Sequence, residues 1–150
     1  MKLMGKKLAK NECGIAAIEF AVLGAVLCLI VVAVGDLGLG FYSDMQVQNS
    51  AQAGAQYAAV HGFNSTAISN AVTNATAVSG IAASPAPSQF CGCVTGTTMA
   101  TATCGSVCAN GMTAGTYVSV SAARTYSTLI SYPGFPASYN QAATSTVRIQ

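Results

Sequence analysis

The chain has 150 residues, of which 52% are hydrophobic and 7% charged, with a formal net charge of +2. Soluble globular domains carry roughly 25% charged residues, and disorder requires low hydrophobicity, so neither class fits. Lys2, Lys6, Lys7 and Lys10 crowd the first ten positions, and residues 45–123 contain no Asp, Glu, Lys or Arg. No basic face remains to follow a phosphate backbone, which excludes nucleic acid as a partner. The carboxylates Glu12, Glu19, Asp36 and Asp44 all precede residue 45. The C-terminal part therefore holds no acid–base pair, and the sequence argues against an enzyme and implies no cofactor or metal.

The first element is a membrane segment. Residues 20–35 are apolar or small without interruption, and extension back to Ile15 gives about 31 Å of helix, enough to cross a bilayer core. Lysines precede the segment and Asp36 and Asp44 follow it, so the positive-inside rule places the N-terminus in the cytoplasm and the rest across the membrane. A plain signal anchor needs only the lysines and the apolar run. A secretory signal peptide would end at Ala33-Val34-Gly35. Neither explains Glu19, a carboxylate inside the apolar run that costs a few kcal/mol unless it is paired.

The neighbours of Glu19 supply a third reading. Gly14-Ile15-Ala16-Ala17-Ile18-Glu19-Phe20 resembles the processing site of type IV prepilins, in which a short basic leader ends in Gly and the mature chain carries Glu at its fifth position. That resemblance implies cleavage between Gly14 and Ile15 by a prepilin peptidase, with removal of residues 1–14. The new ammonium on Ile15 then lies one helical turn from Glu19. In a bundle, Glu19 of one subunit reaches the Ile15 amine of a neighbour and offsets both desolvation costs. Cys13 leaves with the leader, since no apolar run precedes it as lipid attachment requires.

Beyond the transmembrane helix, residues 15–39, the Ala- and Gln-rich residues 40–62 continue the helix to a stop at His61-Gly62. Small residues recur at four-residue steps: Ala17, Ala21 and Ala25 within the membrane, Ala51, Ala55 and Ala59 outside it, with Gly54 alongside. Such stripes let helix backbones approach closely. Inside the membrane a single-span chain has no second helix of its own, which favours a partner helix there. Outside it, packing on the chain's own domain competes. Gly35, Gly38 and Gly40 weaken the helix by about 1 kcal/mol each, and a bend or a loosened turn is expected near the membrane exit.

Glu19-Phe20-Ala21, Gly35-Asp36-Leu37-Gly38, Asn49, Ala51, Gly54, Ala55 and Tyr57-Ala58-Ala59-Val60 together look like the TadE-like proteins of bacterial tight-adherence (Flp-type) pilus systems. The resemblance covers residues 14–62. This chain has Ala25 where the family often has proline, and Leu39 where it often has arginine. The resemblance implies a minor pilin or pseudopilin in the bacterial inner membrane. Its partners would be a prepilin peptidase, other pilins and the inner-membrane assembly platform, with its C-terminal domain in the periplasm or carried into a pilus.

Residues 63–150 read as a small α+β periplasmic domain. Asn64-Ser65-Thr66 opens a short helix expected to end near Gly80, with Ile68, Ala71, Val72, Ala75 and Val78 on one face. Ser84-Pro85-Ala86-Pro87 breaks the chain. Cys91, Cys93, Cys104 and Cys108 follow, and across the membrane such thiols are expected as disulfides rather than as a zinc site. Strand neighbours two apart share a face and rarely bridge each other, so Cys91 and Cys93 each pair with Cys104 or Cys108. Redox activity of the C-x-C pair would want a basic neighbour, and none is near in sequence. Residues 116–126 and 142–149 alternate as strands, with a Tyr-Pro loop at 131–136 between them. This succession is also similar to the end of TadE-like proteins. Arg124 and Arg148 read as solvated strand-edge charges. The expected architecture is thus a long N-terminal helix leading into a disulfide-stapled domain of one short helix and antiparallel strands. The rival reading is a secreted or membrane-anchored Cys-rich binding module.

Overall fold

The computed structural model describes residues 12–131, 134 and 136–149, with side chains from residue 16 onward. The basic leader stretch 2–10, the side chains of Gly14 and Ile15, and part of the loop at 131–136 lie outside the described residues. The order of elements is α1 (Glu12–His61), α2 (Ser65–Thr73), β1 (Ser88–Thr95), β2 (Thr98–Thr101), β3 (Gly115–Ser127) and β4 (Ser138–Arg148). The α+β class follows directly. The chain forms two compact units that divide after Gly38, with α1 supplying the described part of the first and entering the second.

α1 stays helical through Gly35, Gly38 and Gly40. Three glycine penalties of about 1 kcal/mol do not outweigh a continuous ladder of helical hydrogen bonds. At the far end Gly62 takes φ +78° and donates its N–H to the Ala58 carbonyl at 2.9 Å, closing the helix in the left-handed conformation that favours glycine. Asn64 then caps α2, its side chain accepting from Ala67 N–H at 3.0 Å.

α2 stops at Thr73 rather than near Gly80. At the C-cap Asn74 N–H donates to the Asn70 carbonyl at 3.0 Å and Ala75 N–H to the Val72 carbonyl at 3.4 Å, and the chain beyond leaves the helix. Val78 still packs against the core, but from an irregular segment. Apolar spacing alone therefore extended the helix too far.

In the second unit the strands form one antiparallel sheet in the order β2-β1-β3-β4. β4 begins at Ser138, four residues before the alternation that marks it in sequence. The β1–β2 hairpin turns through Gly96, φ +63°, and Thr97 between the paired Thr95 and Thr98; glycine at the first turn position suits a type II′ turn. On α1 the four-residue steps Val47, Ala51, Ala55 and the neighbouring Ala58 are buried against Ile68 and Val72 of α2 and Val118, Val120 and Ala122 of β3. The largest fully buried side chains are only Ile and Val. Such a core gains little burial energy per residue, and cross-links compensate. Cys91 is joined to Cys104 and Cys93 to Cys108, which binds the β1–β2 hairpin to the irregular segment leading into β3.

Candidate assembly site along the long helix

Gly14 and Ile15 fall in the first turn of α1, and Glu19 follows four residues after Ile15 on the same helical face. Glu19 is exposed, flanked by the exposed Ile18 and Phe20. It is the lone ionisable side chain from residue 15 to residue 35 apart from the thiol of Cys28, which is free and exposed. Ala17, Ala21 and Ala25 are exposed as well, and a Cβ on Gly24 would meet nothing within 4 Å. A shallow strip of small residues thus runs down a helix whose other side chains are large and apolar. The helix is long and apolar enough to cross a membrane.

The outer small residues have a different surrounding. Ala51, Gly54 and Ala55 are buried in the chain's own core. A Cβ on Gly54 would stand 2.6 Å from Val72 Cγ2 and 2.8 Å from Val120 Cγ1. Glycine is required here so that α2 and β3 can both close on α1. Of the two readings open for this half of the stripe, the structure supports packing within the chain, and helix packing with a partner is left to Ala17, Ala21 and Ala25.

A polar cluster missed by the sequence reading ties α1 to the sheet. Ser43 Oγ donates to Gln141 Oε1 at 2.6 Å and accepts from an Arg124 guanidinium N–H at 2.8 Å, while Gln141 Nε2 donates to the Gly40 carbonyl at 2.8 Å. Ser43 and Gln141 are buried and Arg124 is half-buried, so Arg124 is not the solvated edge charge expected. Strand parity carried the signal, because Arg124 shares the inward phase of Val118, Val120 and Ala122. One turn earlier, Gly40 lies against the Tyr139 hydroxyl and near the Tyr126 ring, leaving no room for a side chain. Among the described residues no three His, Cys, Asp or Glu side chains are grouped so as to hold a metal ion.

These features define a class: a protein anchored by one long N-terminal helix that carries a small disulfide-bonded sheet domain. Residues 14–56 match the family model described as TadE-like protein, the family that the sequence resembles. The match begins at the Gly14-Ile15 junction, contains Glu19 and the whole small-residue strip, and ends before the sheet. No curated protein and no solved structure matches the chain.

Proposed function

We propose that this chain is a minor pilin or pseudopilin of a tight-adherence pilus system, processed by a prepilin peptidase and assembled by helix packing. The observation that carries this reading is Glu19, alone and exposed on an apolar helix four residues after Ile15, inside the family match. Cleavage after Gly14 removes the lysines that hold the helix in the cytoplasmic leaflet and leaves an ammonium on Ile15. Glu19 of an incoming subunit pairs with that ammonium on a neighbour, and the Ala17, Ala21 and Ala25 strip lets the two backbones approach. The charge pair guides register and the strip supplies contact.

The test is the N-terminal sequence and intact mass of the protein recovered from membranes of its native host. A chain beginning at Ile15 supports the proposal. One beginning at Asp36 makes the protein a secreted Cys-rich module, and one retaining Met1 leaves a plain signal anchor; either result overturns the proposal.

A further inference from the structure

The exposed surface of α1 stays apolar past Asp36 and changes character at a defined place. Phe41, Tyr42 and Met45 are 70%, 51% and 54% exposed. From there to Gln56 the exposed positions are Gln48, Asn49, Gln52 and Gln56, and apolar exposure returns only at Ala59 and the 78%-exposed Val60, by the far end of the helix. Residues 16–38 rise about 34 Å within the first unit, and residues 39–45 rise about another 10 Å at the start of the second, at ~1.5 Å per helical residue. A hydrocarbon core is about 30 Å thick, and about 40–45 Å with both headgroup zones included. The apolar exterior therefore matches a whole bilayer, interfaces included, and residues 39–45 fall at the level of a headgroup zone rather than in water.

The sheet brings a second element to the same end of its unit. β3 runs opposite to α1: Val120 lies at Gly54, Arg124 at Ser43, and Tyr126 at Gly40. The loop after β3 therefore emerges beside the first residues of the second unit. Thr128 closes it, donating its N–H to the Ala137 carbonyl at 2.9 Å, and the next two residues, Leu129 and Ile130, are 67% and 42% exposed. No charged residue occurs at 39–43 or 125–147. Half-buried Asp44, the one charge in the neighbourhood on α1, accepts from Gln48 Nε2. Exposed Leu and Ile at the same end of the unit as exposed Phe and Tyr, with Asp44 half-buried and bonded to Gln48, match the chemistry of the bilayer interface.

We propose that this end of the second unit is seated in the lipid interface, with Phe41, Tyr42 and Met45 on the helix and Leu129 and Ile130 on the β3–β4 loop as its anchors. The occupant of the patch is the bilayer surface. The inference rests on α1 spanning the membrane but not on pilus assembly. It gives the domain a fixed attitude on the membrane before any partner binds. The aqueous boundary on α1 then lies near Met45, about two and a half turns beyond Asp36 at ~3.6 residues per turn.

The test uses the full chain carrying Cys13→Ser and Cys28→Ser, with both disulfides intact. Single nitroxide labels are placed at Leu129→Cys, Ile130→Cys, Leu27→Cys and Val107→Cys, in phosphatidylethanolamine–phosphatidylglycerol nanodiscs holding one copy. Leu27 reports the membrane span, and the 72%-exposed Val107 reports water. The expected result is several-fold lower accessibility to a water-soluble nickel chelate at 129 and 130 than at 107, with oxygen accessibility raised toward that at 27. Values at 129 and 130 equal to those at 107, with 27 still shielded, overturn the interfacial seat while leaving the span intact. Shielding at 129 and 130 that appears only in discs holding two copies assigns the patch to a second chain and equally overturns it. A water-accessible label at 27 removes the span, and the inference with it.

Discussion

Glu19 and Gly54 lie on one helix and answer to different constraints. Glu19 is exposed and makes no hydrogen bond or ion pair among the described residues, so its replacement by alanine chiefly removes a charge. Glu19→Ala is expected to leave leader cleavage intact and to abolish or strongly reduce piliation, read by the mature N-terminus and by electron microscopy of the same cells. Normal piliation in this variant sinks the pairing argument. Gly54 is the opposite case. Alanine there gains about 1 kcal/mol of helix propensity but forces a methyl against two valine side chains, and overpacking costs about 1–3 kcal/mol. The second effect wins, because Val72 and Val120 are fully buried and have no room to yield. Gly54→Ala is expected to destabilise the second unit by about 1 kcal/mol, and Gly54→Leu by more, in denaturant unfolding. The same reasoning gives the reverse sign at Ser50, whose buried hydroxyl has no hydrogen-bond partner among the described residues. Ser50→Ala removes an uncompensated polar group and is expected to be neutral or stabilising by up to about 1 kcal/mol.

Among the elements, the hairpin β1–β2 depends most on covalent help. β2 has four exposed residues and pairs with β1 alone, and two-stranded hairpins are marginal in water. The bridges close segments of 13 and 15 residues in sequence separation, each worth about 3 kcal/mol in the chain-entropy account. Replacing all four cysteines by alanine is expected to free the amides of β1 and β2 for hydrogen exchange before those of β3. The helix–β3–β4 core should retain slower exchange, and equal loss of protection throughout would refute the division. Legibility in the sequence follows the same line. β3 and β4 announce themselves by alternation because one face meets a core and the other does not. β1 does not: Gln-Phe-Cys-Gly-Cys-Val interrupts its pattern with a glycine and two thiols whose burial serves bridges. α2 was overextended because Val78 reaches the core without belonging to a helix. The Ser43–Gln141–Arg124 cluster joins residues about a hundred positions apart, and only strand parity at Arg124 hinted at it.

Taken as one molecule, the chain separates the part proposed to assemble from the part that holds its shape. Glu19 and Ser43 are 24 residues apart in sequence, fall in different compact units and share no partner among the described residues. Sites farther apart than about 7–10 Å, with no shared partner, contribute additively to stability. Glu19→Ala is therefore expected to shift the unfolding free energy of the second unit by less than about 0.5 kcal/mol, while Gln141→Ala, which strips a partner from both buried Ser43 and the Gly40 carbonyl, costs about 1–3 kcal/mol. The double variant should show the sum of the two shifts. A coupling above about 0.5 kcal/mol would mean that the state of the first helical turns reaches the sheet. α1 would then transmit assembly to the domain rather than merely carry it. Additivity would instead mean that the first helical turns and the sheet are energetically independent, so that the proposed helix association can be tested apart from the stability of the domain. That independence is physically reasonable here, because the family match ends at residue 56, on the helix and short of every strand.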